Sequence, residues 1–496
     1  MKNDDMIIIG GGLAGISAGI YALRNGFSTT IFESSGKPGG VCAYWIRGSY
    51  PMSTGIRMLI GSAPQNPFYT LLKEVGIIDG VKINPMEEFH CVEDETGERV
   101  VIYKEPAKLF DSFLRVSPQD REEIERFLDI LDHFSRFKPP VEVNPDAAGI
   151  LDGIESFSKL FPVAKYFALY RKTSVLKYLE RFKSAILKRT FLKLYSIPEF
   201  SVLAMFCSIG WFVGGQVGYP EGGPRAIVDA ILRTYLKFGG KINFNSKVDK
   251  IIVERGKAVG VKLVDGSEYR GKVVLSAADG HSTIFHMLDG KFINDSIRNY
   301  YFKLPLFTPL VTIHFGIEID FKEKFPFIHL PLREPFSILG REIKNLNFHI
   351  IKGEMNGALA GKSVVRIGIE TPYEPWEEIA KTPHRYSEEK MHILREVIRR
   401  LDERYPGFAS NVKVTDVATP VTFVKYTGNW KGSYEGWLPT IKTFGLRMSK
   451  TLPNLENFYM AGQWVEPGGG IPAVIRSARN AIGLVCKNNK KKFIPY

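Results

Sequence analysis

Apolar and polar positions alternate along the chain in patterns that predict strands and helices in turn. An apolar strand at residues 6–9 runs into a glycine turn, an amphipathic helix and a second strand at Thr29–Phe32. Another helix is predicted at 225–238, between two glycine pairs. The strands predicted after it lie at 241–244, Val248–Glu254, 258–263 and 273–277.

A second group of strands is predicted further along the chain, at 305–320, 325–331 and Ser363–Glu370, with a charged amphipathic helix at 386–404. Near the end, a strand at 457–461 leads into a glycine-rich stretch that opens a helix between 467 and 482. These patterns predict an α/β fold. We expect a discontinuous Rossmann-like domain, with an inserted α+β part made of a mixed sheet and helices.

The first glycine turn carries the spacing G-x-G-x-x-G, formed by Gly10, Gly12 and Gly15. Gly10 makes the tight turn, Gly12 leaves the backbone open to a pyrophosphate, and Gly15 lets the helix lie close to the strand. Glu33 follows Gly15 by 18 positions, near the spacing expected of an acid that binds a ribose hydroxyl pair. Since the helix N-terminus also offers free N–H groups to phosphates, the segment predicts a dinucleotide site.

Composition narrows the class of protein without identifying a reaction. The chain has 496 residues and is 44% hydrophobic, which suits two or three globular domains. Its four cysteines are widely spaced and its nine histidines lack ligand spacing, so neither a disulfide framework nor a metal site is predicted. This cysteine usage is typical of a reducing compartment, and we expect a cytoplasmic protein.

The net charge of +13 indicates an anionic partner surface. The segment that begins at Lys159 and ends at Lys193 holds ten basic residues and one acid, Glu180, with apolar residues at helical spacing between 176 and 187. Such segments lie on anionic membranes, and the alternative is a helix with a solvated basic face. We expect a peripheral protein at the inner face of the membrane. Nucleic acid is not expected as a partner, because no nucleic-acid motif is present.

Residues 200–220 carry no charged side chain and are numerous enough to span a bilayer. The stretch contains Gly210, Gly214, Gly215 and Gly218, and its flanks resemble those of a soluble fold. We therefore interpret it as a buried wall of an apolar cavity, with a transmembrane helix as the alternative.

Four segments carry a resemblance to a known family. They are the first fingerprint with Glu33-x-x-x-Lys37-x-Gly39-Gly40, the sequence YPEGG at 219–223, ATPVTFVKYTGNWKGSYEGW at 418–437, and AGQWVEPGGGIPAV at 461–474. Together they resemble the phytoene desaturase, carotenoid isomerase and retinol saturase family of FAD-dependent oxidoreductases. The resemblance spans essentially the whole chain, and PGGGIP is its most specific element.

The resemblance implies FAD as the cofactor, bound by a domain made of residues 1–85, 219–290 and 445–496. Residues 86–218 and 291–444 would form the domain that faces substrate and membrane. The positions that would hold the ADP half are Gly10, Gly12, Leu13, Ala14, Gly15, Glu33, Lys37, Gly39, Gly40 and Val41, with the backbone of Val248 at the adenine. The ribityl chain would be faced by Gly462 and Gln463. The pyrimidine edge of the flavin would be faced by Gly470, Ile471, Pro472 and Ala473.

The chemistry implied is hydride movement between the flavin and a carbon–carbon bond of an apolar isoprenoid, carotenoid or related unsaturated lipid, with a quinone, oxygen or another electron partner. The direction, desaturation or saturation, stays open. So do two alternatives, a redox-neutral polyene cis–trans isomerase and a non-enzymatic lipid-binding flavoprotein.

No catalytic acid or base can be named from the sequence. The aromatic candidates near the flavin, which could equally be packing residues, are Tyr426, Trp430, Tyr434 and Trp437. Ser53 and Gln463 stand where the family often has an acid. Cys42, close behind the double glycine, is interpreted as a buried inert cysteine rather than a covalent flavin link.

Overall fold

The fold was analysed in a computed structural model, which describes residues 4–56, 58–144, 146, 158–195, 197–319, 321, 323–352, 361–446 and 448–496. The strands are β1 (Asp4–Ile9), β2 (Thr29–Phe32), β3 (Tyr44–Arg47), β4 (Tyr50–Ser53), β5 (Leu59–Ile60), β6 (Ile83–Pro85), β7 (Glu88–Glu93), β8 (Arg99–Tyr103), β9 (Val217–Pro220), β10 (Lys241–Asn243), β11 (Val248–Glu254), β12 (Lys257–Leu263), β13 (Glu268–Ser276), β14 (Leu310–Ile317), β15 (Phe327–Ile338), β16 (Arg341–Lys352), β17 (Ser363–Glu370), β18 (Val412–Ala418) and β19 (Phe458–Met460).

Helices connect and cover these strands. They are α1 (Leu13–Arg24), α2 (Phe68–Glu74), α3 (Ile77–Gly80), α4 (Pro106–Val116), α5 (Arg121–Ser135), α6 (Ala164–Tyr170), α7 (Val175–Leu179), α8 (Ala185–Leu194), α9 (Val202–Val213), α10 (Gly223–Lys237), α11 (Asp295–Lys303), α12 (Tyr373–Ala380), α13 (Pro383–Arg404), α14 (Phe408–Asn411), α15 (Pro420–Thr427) and α16 (Ile471–Asn488).

The first sheet is built around β1, whose apolar side chains are buried. Its order is β10-β2-β1-β13-β12-β11, and β19 pairs with β13. The strands β10, β2, β1, β13 and β19 run parallel, whereas β11 and β12 form an antiparallel extension. Helices α1, α10 and α16 cover one face, which gives the Rossmann-like arrangement expected from the sequence.

The strand β13 begins five residues before the predicted start at 273. Its first three residues are exposed, and they pair with β12 of the antiparallel extension rather than with the parallel strands. Its last four are buried between β1 and β19. The pattern of apolar residues in the sequence therefore predicted only the half of β13 that lies in the core.

The second sheet has the order β18-β14-β17-β16-β15-β7-β8, and its pairs are antiparallel except β7 with β15. Helices α12 and α13 pack against one face through buried apolar residues such as Trp376 and Leu401. The sheet confirms the predicted mixed-sheet part and the α/β class. The domain boundaries proposed from the sequence stay a prediction.

Strand limits in this second sheet differ from the sequence expectations. The strand expected at 305–320 is β14, which is shorter, and Asp320 lies outside the described residues. The strand expected at 325–331 is β15, which continues to Ile338 past a register shift. Strands β7, β8, β16 and β18 were not predicted, since polar side chains interrupt their apolar positions.

The charge-free stretch at 200–220 forms the buried helix α9 and the buried strand β9. Helix α9 packs closely on α5, because a Cβ atom at Gly210 would lie 2.6 Å from the Cβ atom of Phe134. The described part of the chain contains no helix that is both long and apolar enough to cross a membrane.

The basic segment is broken into short helices rather than one amphipathic helix. The helices α7 and α8 are separated because the Asp120 carboxylate accepts hydrogen bonds from the backbone N–H groups of Lys183 (2.7 Å) and Ser184 (2.8 Å). Ser184 then caps α8 by accepting from Leu187 N. Of the apolar residues at helical spacing, Leu179, Phe182 and Leu187 are buried in the core.

Candidate functional site

In the glycine turn between β1 and α1, the fold requires some of the glycines but not all of them. A Cβ atom on Gly15 would lie 2.0 Å from the carbonyl oxygen of Gly10, so helix and turn touch through backbone. Gly10 has φ +98°, which favours glycine. Gly12 has φ −75°, and a Cβ atom there would meet nothing nearer than 3.7 Å. The fold itself would accept a side chain at Gly12, so its absence leaves the backbone open to a ligand.

The Glu33 carboxylate is buried at the carboxyl end of β2. Its Oε2 accepts a hydrogen bond from Gly11 N (2.6 Å), and its Oε1 accepts one from Ser35 N (2.8 Å). Oε1 also accepts a longer hydrogen bond from the Ser34 hydroxyl (3.3 Å). Since a carboxylate has about four lone-pair sites, one ribose hydroxyl group could still donate to it, and a second could do so in place of Ser34. Glu33 thus fixes the glycine turn besides being placed to bind a ligand, a structural contribution that motif spacing alone did not predict.

The start of β11 is held beside this carboxylate. The N–H groups of Ser246 and Asn245 donate to the carbonyl oxygens of Glu33 (2.8 Å) and Ser35 (3.0 Å). Val248, the first residue of β11, is therefore brought near Glu33, as its expected role at an adenine requires. The side chain of Lys37 is exposed.

The second glycine pair lies directly against the first turn. Gly39 N donates to the carbonyl oxygen of Gly11 (2.9 Å), and Gly39 and Gly12 form an isolated parallel bridge. A Cβ atom on Gly40 would lie 3.2 Å from the Cα atom of Gly12. Val41 follows in a short 3₁₀ helix, Gly40–Cys42. Both glycine segments thus present backbone at one place.

The C-terminal glycine segment reaches the same turn. Gly462 has φ +105°, and a Cβ atom there would lie 3.4 Å from that of Ala14 in the first turn of α1. Gly462 N is held by the hydroxyl of Ser477 at 2.9 Å. Three further glycines with positive φ, Gly468, Gly469 and Gly470, lead into α16. The N-terminal ends of two helices, α1 and α16, are therefore available to an extended anionic ligand.

The remaining predicted residues occupy these elements. Leu13 and Ala14 are in the first turn of α1, where backbone N–H groups have no partner within the helix. The first turn of α16 contains Ile471, Pro472 and Ala473, of which proline has no N–H to offer. Gln463 donates through Nε2 to the side-chain oxygen of Asn429 (3.2 Å), which ties it to the loop before Trp430.

A buried carboxylate that the sequence analysis missed lies just past the carboxyl end of β13. Asp279 accepts hydrogen bonds from Ser282 N (2.7 Å) and Trp430 N (2.9 Å). Burial raises the pKa of Asp279 to about 6. The ring of His281 stacks on that of Trp430, with centroids 4.5 Å apart. An acid directly after a buried parallel strand was the signal that could have revealed it.

The four aromatic candidates are not all near the glycine turns. The ring of Trp430 stacks on that of His281. Trp437 is fully buried and donates through Nε1 to the carbonyl oxygen of Trp464 (3.2 Å). Tyr434 contacts Phe307, with ring centroids 5.3 Å apart. Tyr426 is 62% exposed.

A polar row on the second sheet holds the segment that follows the double glycine. His314 and Arg366 are opposite one another on β14 and β17. His314 Nε2 donates to the carbonyl oxygen of Ser53 (2.8 Å), and Arg366 Nη1 donates to that of Thr54. Gly55 is required here, since a Cβ atom would lie 1.0 Å from Arg366 Nη1.

The two side chains of this row differ in charge. Burial and the neighbouring Arg366 charge lower the pKa of His314 to about 3, so the imidazole is neutral and Arg366 supplies the positive charge. Ser53, the departure noted in the sequence, thus contributes its backbone carbonyl to the contact between the first glycine segments and the second sheet.

Cys42 lies at the end of the 3₁₀ helix that begins at Gly40. Burial together with the Glu435 charge raises the pKa of its thiol to about 12. Such a thiol is a poor nucleophile. The described residues contain no group of three or more His, Cys, Asp or Glu side chains that could hold a metal ion.

Comparison with solved structures first shows which proteins share this fold. Solved structures with the same fold include an oxidoreductase from Methanosarcina mazei, 18% identical, with a TM-score of 0.60 over 96% of this chain and 99% of that one. Cyclohexylamine oxidase from Brevibacterium oxydans is 16% identical, with a TM-score of 0.61 over 99% of this chain and all of its own. This chain therefore shares its fold with these two proteins.

The sequence then identifies the family. Residues 13–485 match the family described as flavin containing amine oxidoreductase, and the chain belongs to it. It is a flavin-dependent oxidoreductase, as the resemblance implied. Prolycopene isomerase from Daucus carota is 24% identical over 97% of this chain and 79% of its own length. A lycopene-forming phytoene desaturase from Pseudescherichia vulneris is 21% identical over 97% of this chain and 99% of its own.

The contrast between Gly12 and Gly15 generates the first prediction. Gly12→Val should give folded protein with little flavin, because the new side chain occupies space that the fold leaves open. Gly15→Val should lower the melting temperature strongly or prevent folding, because it forces backbone apart. Flavin absorbance per mole of protein and thermal melts measure the two effects. Full flavin content in Gly12→Val would contradict the assignment.

The second prediction concerns Asp279. Its folded pKa, about 6, is raised above the ordinary value of 3.8, so the folded state binds the proton more tightly than the unfolded state does. The contribution to stability is complete below pH 4 and is lost as the pH rises to about 6. The free energy of unfolding of the wild type should therefore fall over this window by about 3 kcal/mol more than that of Asp279→Asn. Parallel curves in denaturant titrations would show that Asp279 does not titrate in this way.

Proposed function

We propose that this protein uses FAD to move a hydride to or from a carbon–carbon bond of an apolar isoprenoid, carotenoid or related unsaturated lipid, as a desaturase or a saturase. The observation that carries the proposal is the convergence of three glycine segments, at Gly12, Gly39 and Gly462, on the N-terminus of α1. Such a site suits a long dinucleotide bound by backbone rather than by side chains.

The assignment of FAD follows from the distribution of these groups. The N-terminus of α1 and the Glu33 carboxylate suit an adenosine diphosphate half, and Val248 is next to them. Gly462 and Gln463 would then face the ribityl chain. The N-terminus of α16 would offer its partial positive charge to the pyrimidine edge of the flavin. FAD, when bound, supplies the redox chemistry.

The residues of this chain would then bind, orient and exclude water. The buried rings of Trp437, Trp464 and Tyr301 belong to one apolar cluster next to Gln463, and these apolar surroundings support the choice of an apolar reactant. The choice of an unsaturated lipid is supported by the relatives, whose names refer to phytoene and prolycopene. A quinone or oxygen is proposed as the electron partner.

A redox-neutral polyene isomerase is the second candidate, because the relatives include prolycopene isomerase over nearly the whole chain. The two candidates differ in one measurable quantity, the net transfer of electrons to an acceptor.

The third prediction tests this function. The flavin released from the purified protein should be FAD. With phytoene or a related polyene in liposomes, desaturation should add double bonds and reduce one quinone per bond formed, whereas saturation should remove double bonds and oxidise one quinol per bond lost. Gly12→Val protein, depleted of flavin, serves as the control. A change of geometry without acceptor consumption would establish the isomerase instead, and oxidation of putrescine or cyclohexylamine with no reaction of polyenes would overturn both.

We also propose that the basic segment from Lys159 to Lys193 docks on an anionic membrane, so that a lipid substrate reaches the site without crossing water. Three of its apolar side chains project to the surface, with exposures of 76% at Phe161, 68% at Leu169 and 45% at Leu176. Apolar tips among basic side chains are typical of interfacial segments.

Several basic residues of this segment are paired within the protein and contribute less to docking. Lys177 pairs with Glu180, and Arg189 pairs with Glu95. The exposed basic side chains closest in sequence to Phe161 and Leu169 are Lys165, Arg171 and Lys172, and they are the better residues to test.

The fourth prediction therefore uses Lys165, Arg171 and Lys172, each changed to Gln. Binding to phosphatidylglycerol vesicles should weaken about a hundredfold, since each basic residue near such a surface contributes about 1 kcal/mol. Flavin content should stay unchanged. The matched control changes Lys237, Lys247 and Lys262, which are exposed on the first sheet and α10. If the wild type fails to bind these vesicles even at low salt, the basic face is only solvated.

A further inference from the structure

The face of the second sheet that lies opposite to α12 and α13 carries buried polar groups. Along β14, Val311, Ile313 and Phe315 belong to the apolar cluster that packs on those helices. Thr312 and His314 alternate with them, so both side chains are on the other face. Each is almost completely buried, and neither Thr312 Oγ1 nor His314 Nδ1 has a hydrogen-bond partner in the part of the chain that the structure describes. Buried polar atoms without partners are costly, which points to a partner supplied by a ligand.

This face is filled at one end of β14 and open further along. A Cβ atom built on Gly316 would lie 2.5 Å from the ring of Tyr50, so no space remains there. Gly368, on β17, is directly opposite Thr312. Within the described chain, and apart from its own chain neighbours, a Cβ atom on Gly368 would have one neighbour within 4 Å, Cδ1 of Leu310 at 3.8 Å. The Thr312 side chain therefore lies beside space that the fold itself does not fill.

The strand β14 contacts two of the segments proposed to bind the flavin. His314 Nε2 donates to the carbonyl oxygen of Ser53 (2.8 Å), in the segment after the double glycine. Phe307, three residues before β14, donates through its backbone N–H to the carbonyl oxygen of Gly436 (3.0 Å). Gly436 abuts Gln463, because a Cβ atom there would lie 3.1 Å from the Gln463 carbonyl oxygen. The position of Thr312 along the chain is thus between these two contacts.

The hydrogen bond of His314 determines which of its nitrogens carries the proton. A carbonyl oxygen can only accept, so Nε2 carries the hydrogen that it donates to Ser53. Burial and the Arg366 charge lower the pKa of His314 to about 3, so the ring carries no second proton. Nδ1 is therefore an acceptor and needs a partner that donates, whereas the Thr312 hydroxyl can donate or accept.

A hydroxyl group is the ligand chemistry that fits this pair. It can donate to Nδ1 and accept from Thr312, whereas a ketone, an ether or a carboxylate has no proton to donate. An ammonium group could donate, but the Arg366 charge that lowers the pKa of His314 would also oppose a second cation nearby. Residues two apart on a strand have Cα atoms about 7 Å apart, so side chains of this size can converge on one oxygen.

We propose that the substrate is an unsaturated lipid alcohol, whose hydroxyl group donates to His314 and accepts from Thr312 beside Gly368. The proposal rests on the lipid substrate proposed above and narrows its class. A repetitive isoprenoid chain has few features that distinguish one carbon–carbon bond from the next. A hydroxyl group bound at this place would select the bond that faces the flavin.

The fifth prediction compares binding of geranylgeraniol to the holoprotein with binding of the hydrocarbon of the same chain that lacks the hydroxyl group. The wild type should bind the alcohol about tenfold more tightly, because only the alcohol satisfies both buried groups. Thr312→Val, which keeps the shape but not the hydroxyl group, should lose most of this preference with no change in affinity for the hydrocarbon. Thr312→Ser should keep the preference. The methyl ether of geranylgeraniol, which accepts but does not donate, should bind less tightly than the alcohol.

Melting temperatures of the holoproteins without lipid provide a second measurement. Thr312→Val should melt no lower than wild type, since the hydroxyl group that it removes is without a partner among the described residues. The matched control is Thr29→Val, which should melt lower, because the buried Thr29 hydroxyl is hydrogen-bonded to that of Tyr235 (3.0 Å). Thr29→Val should keep the wild-type preference for the alcohol.

Equal affinity of the wild type for the alcohol and the hydrocarbon would overturn the proposal while leaving a lipid substrate in place. A Thr312→Val protein that melts as low as Thr29→Val would also overturn it, because the Thr312 hydroxyl would then have its partner within the protein. A holoprotein that binds none of the three lipids would refute the proposed function instead, so the two failures are distinguishable.

Discussion

The close approach of backbone to backbone at the first glycine turn is the constraint on which the rest of the structure depends. Gly15 touches Gly10 with no room for a side chain, and this contact sets how α1 lies on β1. The Glu33 carboxylate then holds Gly11 N, and Gly39 N holds the Gly11 carbonyl. Because these contacts leave open space only beside Gly12, the site proposed for the ligand is a by-product of how the sheet is assembled.

Two buried polar contacts lie close to the first two glycine segments. Asp279 ties the end of β13 to the loop at Trp430, and Arg366 ties the second sheet to the segment around Gly55. Both groups are buried, so each hydrogen bond is made in surroundings where an unpartnered group would be costly. Buried polar groups therefore contribute, together with apolar packing, to the positions of the loop at Trp430 and of the segment around Gly55.

Local patterns predicted the elements whose chemistry is contained in a few neighbouring residues. The fingerprint, the strands β11 and β17, and the glycine opening of α16 were all visible, because turn chemistry and apolar periodicity act over short distances. Asp279 and Arg366 were not visible, since each acquires its role from a residue distant in sequence. Asp279 and Trp430 are 151 positions apart, and no spacing rule covers such a pair.

The basic segment from Lys159 to Lys193 shows that a segment's composition does not determine its local structure. Its apolar residues at helical spacing predicted one surface helix, yet Asp120 breaks the segment and most of those residues enter the core. The most exposed apolar side chains, Phe161 and Leu169, are ones that periodicity did not single out, although Leu176 of the periodic set is also 45% exposed. The same reasoning applies to the charge-free stretch at 200–220, whose apolar side chains serve packing against α5. In both segments the burial of each side chain depends on the elements that pack against it, which the local pattern does not contain.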